Sequence, residues 1–170
     1  GGFFREVGAQ NPVGQTVTNN LIATYGMQVT VDQADGTTPQ TANQNTSISG
    51  INGLILEGEG VSPVAISPND SSIEVLVPYS RDRSPEVRHQ QNLTIEPRIF
   101  ASMALKPVGQ GHVIAMFDRQ PMWNNGPGSS IQRRNNGEIL REVINFLAQP
   151  AGSDPTPLTP SPAIPRSEDA

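Results

Sequence analysis

The chain has 170 residues, 35% of them apolar, with 16 Gly and 16 Pro, which fits one domain with a modest core and many turns. Acidic residues number 16 against 11 basic ones, a net charge of -5 with no Lys- or Arg-rich run, which argues against a nucleic-acid backbone or an anionic membrane as partner. The absence of cysteine excludes disulfides, thiolate metal sites and a cysteine nucleophile, and no apolar run reaches the ~20 residues that span a bilayer.

The chain opens "GGFFREVG", with no initiator Met and no signal peptide, so a processed product or a piece of a longer protein is expected. The segment "GQTVTNNLIATYGMQVTV" predicts a short helix and then a strand. Val17, Leu21 and Tyr25 recur every four residues, Gly26 stands where a left-handed C-cap would, and Met27 to Val31 has β-branched alternation. Residues 32–49, "DQADGTTPQTANQNTSIS", are almost free of apolar side chains and predict a surface loop.

Three short apolar runs follow, Leu54 to Leu56, Pro63 to Ile66 and Ile73 to Val77, separated by Gly, Ser, Pro and Asn, and they predict consecutive β-strands. The charged piece "RDRSPEVRHQQNLTIEPRIF" reads as an irregular connection. "ASMAL" and "HVIAMF" then predict a hairpin that reverses within "KPVGQG".

The second hairpin strand leads into "DRQPMWNNGPGSS". Asp118, Arg119, Trp123, Asn124 and Asn125 form the candidate ligand-binding set: a carboxylate and a guanidinium for charge-assisted hydrogen bonds, an indole for stacking, and amides for directional contacts. A polar ligand, carbohydrate included, fits these types. The structural alternative has Asp118 capping the turn, Arg119 pairing with a nearby acid and Trp123 plugging the sheet edge. After this loop, "NNGEILREVINFLAQ" predicts a helix with Ile139, Leu140, Val143, Ile144 and Leu147 on one face, capped by Asn135 or Asn136, with Glu138 at the positive end of its dipole. Residues 150–170 read as a Pro-rich linker or tail beyond a domain of residues 1–149.

No catalytic or metal-binding constellation is recognisable, and no cofactor is expected. His89 and His112 read as surface residues, and "GEG" and "GQG" as turns without the Lys-Ser/Thr of a phosphate loop. Asn45, Asn69 and Asn92 stand in Asn-x-Ser/Thr contexts, which chance explains in a chain rich in these residues.

The strand "GHVIAMFDRQPMWNNGPGSS" followed by "NNGEILREVINFL" resembles the C-terminal end of glutamine-amidotransferase-like domains, and "TNNLIATYGMQV" and "NTSISGINGLILEGEGVSPV" are similar to earlier units of that family. The resemblance implies an α/β fold, a three-layer sandwich of flavodoxin-like type whose first strand and helix are missing before Gly1. Without a cysteine, and with Asn45 where relatives often carry His, glutaminase chemistry is not implied. What is implied is a non-catalytic binding or assembly module of a larger, exported bacterial protein, periplasmic or extracellular, completed by a protein partner or by its own missing N-terminal part. Two alternatives stay open. One is a hydrolase acting on carbohydrate or peptide through Asp118 with a second carboxylate such as Glu57, Glu59 or Glu96. The other is a structural subunit of an extracellular assembly.

Overall fold

The computed structural model describes residues 21–29, 37–59, 63–79, 95, 99–116, 120–122, 124 and 130–149. The first of these are helical at Leu21 and Ile22 and continue as a 3-10 turn, Ala23–Tyr25. Gly26 closes the turn at φ 74° and donates its N–H to the Ala23 carbonyl, the left-handed cap expected of it. A side chain there would be strained, and its Cβ would lie 3.1 Å from Asp70 Oδ2. Strand β1, Met27–Val29, follows immediately.

Six further strands are β2 (Thr37–Thr41), β3 (Ile55–Glu59), β4 (Val64–Ile66), β5 (Glu74–Pro78), β6 (Ile99–Val108) and β7 (Gly111–Met116); the one α-helix among the described residues, α1, is Asn136–Ala148. Every strand pair is antiparallel. Strand β6 is the spine of the main sheet. Ala101 pairs with both Val64 and Pro78, and Met103 with both Val77 and Met116, so β5 takes one edge of β6 while β4 and β7 divide the other. Strand β1 extends the sheet beyond β4.

This mostly β architecture, a curled antiparallel sheet with one complete α-helix among the described residues, overturns the flavodoxin-like three-layer α/β sandwich that the family resemblance implied. The physical reason lies in the connections. A parallel pair needs a crossover of a dozen or more residues, usually a helix. Residues 60–63 join β3 to β4, residues 67–73 join β4 to β5, and β6 passes to β7 through Gly109 and Gln110 alone. Gly109, at φ 58°, supplies the left-handed first position of that tight hairpin turn.

The core has two parts, one on each side of this spine. Met27, Val64, Ile66, Ile73, Ala101, Ala104 and Ala115 pack on one side, with Ile22, Tyr25 and Val29 against them. On the other, Met103 and Leu105 meet Leu76 and Val77, Leu56 from β3, Ile48 and Ile51 from the preceding loop, and Ile139 and Val143 from α1. Two opposed register shifts between β5 and β6, around Val77, bend the sheet where the two parts meet.

The region read as a surface loop, residues 32–49, is corrected in its second half. Thr37–Thr41 is a strand, Gln40 is buried, and Ala42 and Ile48 sit in the core. Pro39 made this strand hard to read, yet it stands opposite Glu57, whose backbone groups bond away from β2. The missing proline N–H therefore faces the outer edge and costs no ladder bond. The following loop is pinned from inside: Asn43 donates to the Val75 and Leu76 carbonyls, Asn52 Oδ1 accepts from the Thr46 N–H and hydroxyl, and Glu74 accepts from the Ser47 N–H and hydroxyl.

Candidate functional site

A cavity of about 170 Å³ lies between α1 and the sheet. Met103 of β6 and Ile114 and Met116 of β7 contribute from the sheet and Leu56 from β3, while α1 contributes Ile139, Leu140, Val143 and Leu147. The side wall is the 3-10 turn Gln120–Met122, through Pro121 and Met122. The helix reads as expected in extent, Asn136–Ala148, but its apolar face divides. Ile139 and Val143 are buried, whereas Ile144 and Leu147 are 54% and 45% exposed, and Met122, which lines the cavity with Leu147, is 39% exposed. The cavity thus carries an apolar rim open to solvent.

What holds α1 at this height is a pair of asparagines. The Ile55 N–H donates to Asn135 Oδ1 at 3.0 Å, and the Asn135 N–H donates back to the Ile55 carbonyl at 3.1 Å. Two residues along β3, the Glu57 N–H donates to Asn136 Oδ1 at 2.8 Å. Asn136 Nδ2 in turn donates to the carbonyls of Glu57 at 2.8 Å and Ser130 at 2.7 Å. These amides act as a surrogate strand along the edge of β3 that β2 leaves open. Asn135 occupies the N-cap position, but its side-chain oxygen serves β3 rather than the helix N–H groups.

Among the described residues, Asn136 is the one polar side chain lining the cavity, and both of its N–H donors are already used. It presents no free donor to a ligand. Nearby, Arg134 adopts φ 47° and its Nε donates to Glu57 Oε2 at 3.0 Å, an ion pair at the surface end of the clamp. At the other end of the helix, Phe146 stacks at a tilt on His112 of β7, with ring centroids 4.7 Å apart. His112 is exposed, as the sequence indicated.

A second polar cluster lies apart from the cavity. Lys106 Nζ donates to Asp70 Oδ2 at 2.8 Å, and Ser72 donates to Asp70 Oδ1 through its N–H and hydroxyl. The Lys106 hydrogen bond, aided by those of Ser72, lowers the Asp70 pKa to about 2. The cluster ties the hairpin to the turn before β5 and leaves Asp70 fully engaged.

Of the residues singled out in the loop, Asn124 is exposed, while Asp118, Arg119, Trp123 and Asn125 lie outside the described residues. Gln120–Met122, in the same loop, is a 3-10 turn that forms the cavity wall. Glu57 is committed to Arg134; Glu96, His89 and Asn92 lie outside the described residues. Asn45 and Asn69 are exposed. The sequence reading missed Met103, Met116 and Met122. Their signal was compositional, because the chain has four methionines and three of them line this cavity.

Among the described residues, no three His, Cys, Asp or Glu side chains are placed to hold a metal ion, and no helix is long and apolar enough to cross a membrane. No family model, curated protein or solved structure matches the chain, and nothing in those comparisons identifies a glutamine-amidotransferase-like domain.

Proposed function

We propose that this chain is a non-catalytic binding or assembly module whose docking point is the cavity beneath α1. The observation that carries this reading is a cavity whose described lining is apolar save for Asn136, whose N–H groups are already used, with Met122 and Leu147 of that lining in contact with solvent. Apolar concavities with exposed apolar rims recognise shape and exclude water, and they are common at protein-binding surfaces. The set around the cavity offers no free nucleophile or acid–base pair among the described residues, so occupancy rather than turnover is what it supplies.

The test is selection of binders from a random peptide library displayed on phage, followed by measurement of the selected peptides on the Leu147→Glu and Met122→Glu variants. Both positions are partly exposed, so the variants should fold, while a carboxylate at the rim opposes insertion of an apolar anchor. Selected peptides should share an apolar anchor and lose at least about tenfold in affinity on either variant. Peptides that bind both variants as well as the parent chain would remove the cavity as the docking point.

A further inference from the structure

We infer that the Asn136–Gly137 peptide is a one-way latch on α1: a spontaneous deamidation site that the clamp shields while the helix is docked on β3, and that bars redocking once it has reacted. The inference stands apart from the binding-module reading. It starts from two packing demands that fall on neighbouring residues. Position 136 needs an amide, because the Glu57 N–H donates to Oδ1 at 2.8 Å while Nδ2 donates to the carbonyls of Glu57 and Ser130. Position 137 needs glycine, because a Cβ there would stand 3.1 Å from the Ile131 carbonyl oxygen. Together they make Asn-Gly, the pair in which no side chain flanks the attacking backbone nitrogen.

The chemistry is a ring closure followed by hydrolysis. The Gly137 nitrogen bonds to Asn136 Cγ and gives up its proton, and the Cγ–Nδ2 bond breaks with loss of ammonia. Water then opens the cyclic imide to an aspartyl or an isoaspartyl residue. The docked helix opposes the first step twice. Asn136 is buried and held by three side-chain hydrogen bonds, and its helical backbone keeps the Gly137 nitrogen out of the eclipsed position beside Cβ that closure requires. Lifting α1 removes both restraints. After reaction, a carboxylate oxygen stands in place of Nδ2 opposite two carbonyl oxygens, and an isoaspartyl product adds a backbone atom in the first turn, so neither rebuilds the clamp. Asn52–Gly53 serves as an internal reference. It lies in a turn closed by the Leu54 N–H on the Ile51 carbonyl, and Asn52 Oδ1 is held by Thr46 rather than by β3.

The experiment ages the whole chain at mildly alkaline pH, folded and in unfolding urea, and follows each Asn-Gly pair by peptide mapping and mass spectrometry. In urea Asn52 and Asn136 should react at similar rates. In the folded chain Asn136 should react at least about tenfold more slowly than in urea, since only the lifted population reacts. Asn135→Ala, which deletes one side-chain bond of the clamp, should raise the folded rate at Asn136 about fivefold and leave Asn52 unchanged. Chains that have reacted at Asn136, separated by their added negative charge, should lose hydrogen-exchange protection at the Ile55 and Glu57 amides and along α1, while the β6–β7 hairpin stays protected. Ageing produces the acid after folding, so the result does not depend on whether Asn136→Asp folds.

Equal rates at Asn136 in folded and unfolded chains would overturn the shield. A folded rate at Asn136 that Asn135→Ala leaves unchanged, or a parallel rise at Asn52, would overturn the lifting of α1 as the trigger. Reacted chains that keep full protection at the Glu57 amide would overturn the one-way step.

Discussion

Replacing Asn136 with Ala tests whether the amide clamp positions the helix over the cavity. The substitution deletes three hydrogen bonds at a residue that is 1% exposed, two to the Glu57 backbone and one to the Ser130 carbonyl. At about 1 kcal/mol net for each, the loss is about 3 kcal/mol, and a partner left dry and unmatched adds to it. A chain of this length would lose roughly 6–12 °C in Tm. Urea unfolding followed by circular dichroism should show a lower midpoint with an unchanged slope, the sign of lost stability rather than altered compactness. Asn135→Ala, which removes a single partly buried side-chain bond to β3 and a long contact to Glu138, should cost about 1 kcal/mol. Asn136→Asp sharpens the test, because its carboxylate would face two carbonyl oxygens; it should be worse than Ala at neutral pH and recover on acidification as the group protonates. A loss at Asn136 no larger than that at Asn135, or an Asp variant as stable as the parent chain, would refute the clamp.

Other outcomes are open to measurement. The carboxyl of Asp70 has a folded pKa of about 2, below its ordinary 3.8, so the Lys106 pair contributes stability that is complete above about pH 4 and is lost as pH falls through about 2. Acid titrations of unfolding should show this loss in the parent chain and not in Asp70→Asn. Gly26→Ala should cost about 1–2 kcal/mol in thermal unfolding, since it forces a side chain into φ 74° beside the Asp70 carboxylate. Arg134→Gly removes a surface ion pair but relieves φ 47°, so its stability should stay within about 0.5 kcal/mol of the parent; a larger loss would assign real strength to the Glu57 contact.

Several elements were legible along the chain because their signals are local. The Gly26 cap, the strands near Leu54–Leu56, Pro63–Ile66 and Ile73–Val77, the hairpin at Gly109 and the helix from Asn136 all depend on periodicity and turn residues within a few positions. Strand β2 was hidden because its pairing partner lies across the loop and its edge position tolerates Pro39. The family resemblance implied parallel strands and a sandwich, yet the short connections between the apolar runs were already incompatible with crossovers.

The candidate site divides in the same way. Sequence alone determined that the chain lacks cysteine chemistry, carries a net negative charge and places an amphipathic helix after the polar loop. That helix periodicity could not say which part of its apolar face would be buried, because Ile139 and Val143 differ from Ile144 and Leu147 only in what packs against them. Tertiary structure alone brought Met103, Met116 and Met122 together and turned Asn135 and Asn136 from expected caps into the edge partner of β3. Cavities and edge pairings are made by residues distant in sequence, Glu57 and Asn136 among them, and no local pattern encodes which distant groups will meet.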